Sequence, residues 1–137
     1  FTRRGDLWAA LQWGWSIKMQ DKPYTLEQKE EIETALQRAA LLAHDPAIEP
    51  AFIDFVRGQL HHLLEEHRPA LIHLERAFLV VDFRRKYAIS LFRALAAELV
   101  WADRIEDARR YARIASEEEQ QIQYFLQLVE EHFEEIH

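Results

Sequence analysis

The chain has no cysteine, only three glycines, four prolines and one methionine among its 137 residues. Without cysteine, disulfides and thiolate metal sites are excluded, and a reducing cytoplasm is the expected compartment. So little glycine and proline, beside abundant Ala, Leu and Glu, favours helices over turn-rich sheets. No run of eighteen apolar residues exists, so no membrane insertion by a helix is expected. Gly5, Gly14 and Gly58 stand alone, which leaves no Gly-rich phosphate loop. Ser16, Ser90 and Ser116 sit in helical or capping contexts with no base beside them. Not being an enzyme, and having no cofactor or resident metal, is the expectation. The net charge of -7 argues against nucleic acid as a partner, because phosphate contacts need net positive surface. The opening residues carry no signal-peptide pattern, and the chain begins at Phe1 in mid-pattern. One domain over 1–137, cut from a longer protein, is expected.

Charge is uneven. Acid gathers at Glu117 to Glu119 and Glu130 to Glu135, base at Arg84 to Lys86 and at Arg109, Arg110 and Arg113. Solvated helix faces are the simplest account of these runs, with a functional basic strip as the other.

What the sequence does contain is helical periodicity. Leu7, Leu11, Trp15 and Met19 recur every four residues, giving a helix over 6 to 20 that Asp21-Lys-Pro23 breaks. Thr25-Leu-Glu-Gln28 has the form of a capping box for a second helix, to about Ala43. Pro50 starts a third, to about Glu66, and Pro69 a fourth. A fifth begins near Arg84. The turn Ala102-Asp-Arg104 separates it from a sixth, and Ser116 to Glu119 either opens a seventh or lies within a continuous one. Ile122, Phe125, Leu126, Val129, Phe133 and Ile136 share one face of the last segment.

Small residues recur across these helices. Gly58, Ala70, Leu74 and Ala77 fall at intervals of twelve, four and three, and so do Ala96, Ala108, Ala112 and Ala115, with an offset of 38 (Ala96 minus Gly58). Small side chains at fixed spacing across helix, turn and helix mark close helix contact. With Phe92, Leu95, Ala96 and Leu99 ahead of Ala108, Ala112 and Ala115, the pattern resembles the tetratricopeptide repeat, whose period is about 34 residues. The earlier copy departs from it at Asp54, Arg57 and His61, and four extra residues between Ala77 and Phe92 add about one helical turn. A more distant copy takes in Trp13, Gly14, Ile17, Ala35, Ala39 and Leu42.

The resemblance implies an all-α fold: a TPR-like α-solenoid of stacked antiparallel hairpins. About three repeats (approximately 6–46, 51–84 and 85–118) would be closed by a C-terminal capping helix over 119–137. A non-repeat helical bundle explains the stripes equally well, but not their shared spacing. The resemblance further implies a groove lined by the first helix of each hairpin. By position its partner-binding residues are Trp8, Leu11, Trp15 and Lys18, then Phe52, Phe55, Gln59 and His62, then Arg93, Ala97, Val100 and Trp101. Aromatic anchors beside Arg suit a peptide-binding hot spot, although aromatics at helical spacing are also what a core looks like. Leu11, Trp15 and Phe55 stand where a carboxylate clamp would need polar groups, so binding of a chaperone tail is not implied.

The function expected is a protein–protein interaction scaffold binding another protein or peptide. The alternatives are a ligand- or peptide-sensing domain of a regulator, and a self-association module forming a homodimer. Among the histidines, His62 and Glu66 are four apart and share a helix face, yet no second unit completes a metal site.

Overall fold

The computed structural model describes residues 24–119 and 122–136, so the helix expected over 6 to 20 lies outside the described residues. The described residues are all-α, with no strand among them: α1 (Leu26–Leu42), α2 (Pro50–Leu63), α3 (His67–Phe78), α4 (Val81–Trp101), α5 (Ile105–Glu119) and α6 (Ile122–Ile136).

Local chemistry sets most boundaries. The Thr25 hydroxyl accepts from the Gln28 amide at 3.1 Å, and the Gln28 side chain accepts from the Thr25 amide at 2.8 Å. Two amides of the first turn that lack helical partners are thereby satisfied. Pro50 occupies the first turn of α2. α3 begins at His67, two residues before Pro69, because a proline in the first turn gives up an amide that has no helical partner anyway. α4 begins at Val81 rather than near Arg84, and bends at Tyr87 (φ -124°, ψ 23°). Arg84 is buried. Its Nη1 donates to the Phe78 carbonyl and its guanidinium lies over the Phe78 ring, so it caps the C-terminus of α3 rather than joining a basic strip.

Two turns match bond for bond. Glu65 and Asp103 both take left-handed φ, 59° and 60°. The amides of Glu65 and Glu66 donate to His62 and His61 carbonyls, and those of Asp103 and Arg104 to Val100 and Leu99 carbonyls. This is the Schellman ending of a helix. The offset between the turns is 38 (Asp103 minus Glu65), the same as that of the small residues.

Each helix packs on the next. In addition α2 packs on α4, and α4 on α6; no other pair of described helices brings its backbones close. α2, α4 and α6 therefore make one contiguous row, with α1, α3 and α5 packed against its members. Gly58, Ala70, Leu74, Ala77, Ala96, Ala108, Ala112 and Ala115 are all buried. A Cβ on Gly58 would stand 2.6 Å from Leu74 Cγ, so α2 and α3 touch where the sequence spacing puts their contact. α6 folds back on α5: Arg109 Nε donates to Glu130 Oε1 at 2.9 Å. One straight helix would hold those residues about 30 Å apart. Val129 is buried under this return, with Leu128 and Phe133 packed against the core.

Candidate functional site

The side chains expected to line a groove divide into three groups. Trp8, Leu11, Trp15 and Lys18 lie outside the described residues. Phe52 and Phe55 are each 1% exposed, and Val100 is buried with them. The reason is the bend in α4. Its first turns bring Phe83 and Tyr87 over α2, with Phe55 5.6 Å from Phe83 and Phe52 6.4 Å from both rings. The two phenylalanines are core here and present no surface to a partner. Gln59 is buried as well, donating from Nε2 to the Ser90 carbonyl at 3.1 Å and tying α2 to α4.

The third group is His62, Arg93, Ala97 and Trp101. Arg93, Ala97 and Trp101 are four residues apart on α4, so they share a face. Arg93 and Trp101 are exposed and Ala97 half-buried. Ile89, one step earlier in the same series, is exposed too. Trp101 is 55% exposed, and its ring stacks on His67 with centroids 4.0 Å apart and planes 17° from parallel.

Beside Trp101 lies the polar centre of the molecule. The Glu98 carboxylate is 1% exposed. It meets His62 Nδ1 at 2.6 Å and His67 Nδ1 at 2.8 Å, one imidazole on each oxygen. The carboxylate oxygens accept, which suits an Nδ1–H on each imidazole and leaves each Nε2 for another partner. The clasp joins three helices, since His62 comes from α2, His67 from α3 and Glu98 from α4. It also fixes the ring on which Trp101 stacks. His62 thus pairs with Glu98 and not with Glu66. Glu66 lies beyond the end of α2 and bonds His61 at 2.9 Å. His61 in turn stacks on His73, whose Nδ1 meets Asp54 at 2.8 Å.

Among the described residues no three His, Asp or Glu side chains converge where they could hold a metal ion. No described helix is long and apolar enough to cross a membrane. The second basic cluster is engaged with acids: Arg109 with Glu106 and Glu130, Arg110 with Asp107.

A second polar junction ties α3 to α5. Glu75 accepts from Arg104 at 2.9 Å and from the Tyr111 hydroxyl at 2.8 Å, while Arg104 also bonds Asp107. Burial, with the Glu75 carboxylate adding to it, pushes the Tyr111 hydroxyl above its ordinary value. The Arg104 guanidinium holds the Asp107 carboxyl below its own.

Glu98 is the residue that sequence reasoning passed over; Ile89, which the helical pattern puts inside with Phe92 and Leu95, is 39% exposed, and His67 stands in the sequence only as one of a cluster of histidines. Glu98 did leave a signal, as the only acid between Arg85 and Trp101, inside an apolar stretch. Comparison with protein-family models, with curated proteins and with solved structures found no match.

Proposed function

We propose that the chain is an interaction scaffold, a stack of tetratricopeptide-like hairpins that holds a segment of another protein along the solvent-facing side of α4. The observation that carries the binding reading is the stripe on that helix of exposed Ile89, Arg93 and Trp101 with half-buried Ala97 between them. A large aromatic ring left half in water, yet held by a stacked imidazole, is pre-ordered for contact and loses little freedom on binding.

Two observations support the stacked-hairpin reading. The turns at Glu65 and Asp103 repeat at the offset of the small residues. The described helices also pack only on neighbours and next-neighbours, α2 on α4 and α4 on α6, as a one-dimensional stack requires. In that reading α2 and α4 are the first helices of two hairpins, and α6 covers the apolar face that the last hairpin would otherwise expose. The binding residues narrow to Arg93, Ala97 and Trp101, with His62 and His67 supporting the tryptophan.

The test is selection from a random peptide display library panned on the protein. Peptides should be enriched, and they should lose at least tenfold in affinity on Trp101→Ala while the melting temperature moves by less than a few degrees. No enrichment, or enriched peptides indifferent to Trp101→Ala, would sink the reading.

A further inference from the structure

We infer that Glu98, buried as it is, is the positioning residue of the partner surface: through His67 it holds the Trp101 ring where a partner meets it. The inference rests on the scaffold reading and deepens it. One imidazole serves two neighbours here. His67 turns its Nδ1 edge to Glu98 Oε2 at 2.8 Å and its face to the Trp101 indole, with 4.0 Å between centroids. Glu98 and Trp101 stand three apart in the last turn of α4. Acid, imidazole and indole therefore close a ring of contacts between α3 and α4. The other oxygen, Glu98 Oε1, is taken by His62. The carboxylate cannot turn away from His67 without giving up a bond in the interior.

The first hairpin does without this arrangement. Its counterparts of Glu98 and Trp101 are Leu60 and Leu63 (98 and 101, each minus 38), and both are buried. Two leucines close that interior with no carboxylate in it. A buried acid costs desolvation that leucine does not, and in the second hairpin it comes together with a tryptophan left half in water. Acid and ring differ from the first hairpin as a pair, which fits one serving to hold the other. Without the clasp, His67 in the first turn of α3 and Trp101 in the last of α4 would each turn among rotamers. A partner would then have to order both rings before using either.

A synthetic copy of a peptide enriched in the selection above tests the inference. It should bind Glu98→Gln and His67→Ala each about fivefold more weakly than the unaltered protein. Gln keeps the shape of Glu98 and one of its acceptors. His67→Ala lies at a half-buried position and serves as the second variant should Gln disturb folding. With Trp101 already replaced by alanine, the same two changes should alter the remaining affinity by less than about twofold, because they act through that ring. A second readout needs no peptide. In nuclear magnetic resonance the ring protons of His67 should lie upfield, shielded by the indole, and Glu98→Gln should return them towards the positions of a free imidazole. The ring protons of His73, held by Asp54, should stay where they are. A peptide that binds both variants within twofold of the unaltered protein would overturn the inference and leave the scaffold standing. So would an equal loss when Trp101 is already alanine, or a His67 ring unmoved by Glu98→Gln. No enriched peptide, or enriched peptides indifferent to Trp101→Ala, would overturn both.

Discussion

At matching positions of the two hairpins α2–α3 and α4–α5, the chain spends its small side chains differently. In the first, Gly58 opens a gap that the branched end of Leu74 fills, close enough that a Cβ would strike it. In the second, the residues 38 positions on are Ala96 and Ala112, both fully buried. The polar interior differs too. The counterpart of Glu98 in the first hairpin is Leu60 (98 minus 38), which is fully buried. His73 and Tyr111 also correspond, and each reaches a carboxylate, Asp54 in one case and Glu75 in the other. A common turn and three common small positions thus carry interiors that differ at the fourth and at position 60/98, a buried leucine in the first hairpin and, in the second, an acid clasped by two histidines of the first. The turn and the small positions hold the helices at one geometry, and the remaining interior positions are free to differ provided each buried polar group finds its partner.

The largest effects come from exchanging position 60 with position 98. Leu60→Glu puts a carboxylate into an apolar interior with no imidazole waiting for it, and should cost more than about 4 kcal/mol, enough to prevent cooperative folding. Glu98→Leu leaves His62 and His67 without an acceptor, but both are half-buried and able to turn to water. It should cost about 1–3 kcal/mol, because removing the acid also removes its desolvation. Urea unfolding of the two variants checks this. If Glu98→Leu is as damaging as Leu60→Glu, the two cores do not differ in the way described.

Next in size is the Gly58 contact. Alanine is the better helix former by about 1 kcal/mol, so Gly58→Ala would stabilise an open position. Here the obstacle is Leu74 Cγ at 2.6 Å with the Leu74 backbone nitrogen at 3.1 Å behind it, and neither is a flexible chain end. The clash should win, for a net loss of about 1–3 kcal/mol. Leu74→Ala alone should cost about 2–5 kcal/mol through the cavity it leaves. The double variant gives the first hairpin the Ala–Ala pair of the second. It should cost less than the sum of the single changes by about 0.5–3 kcal/mol. Strict additivity in chemical denaturation would mean that the two positions do not share a gap.

How far the sequence carried these features depended on how local they are. The Thr25 box, the Pro50 start and the small-residue spacing are each set within a helix or one hairpin, and each could be read directly. The Glu98 clasp joins residues 31 and 36 positions apart, and nothing near Glu98 in the chain names its histidines. The groove expected at Phe52 and Phe55 failed for a related reason. The residues between Ala77 and Phe92 count as one added turn in the sequence, but in space that turn bends at Tyr87 and lays Phe83 and Tyr87 over both rings. Trp101 and Arg93 were put on one face of α4 by position in the repeat resemblance, and their exposure there follows from four-residue spacing within a single helix, a local property.

The smallest effect tests the turns themselves. Glu65 and Asp103 hold left-handed φ without being glycine, a conformation that costs an ordinary residue about 1–2 kcal/mol. Glycine removes that strain and gives back part of the gain through its freer unfolded chain. Glu65→Gly and Asp103→Gly should each therefore stabilise by up to roughly 1 kcal/mol, a few degrees in melting temperature. The gain should be smaller at Asp103, because a short Asp side chain tolerates this backbone better than Glu does. Glu65→Ala and Asp103→Ala serve as controls and should raise neither value. If glycine stabilises at one turn and destabilises at the other by a comparable amount, then two turns alike in their hydrogen bonds differ in energy, and their 38-residue correspondence ends at the backbone.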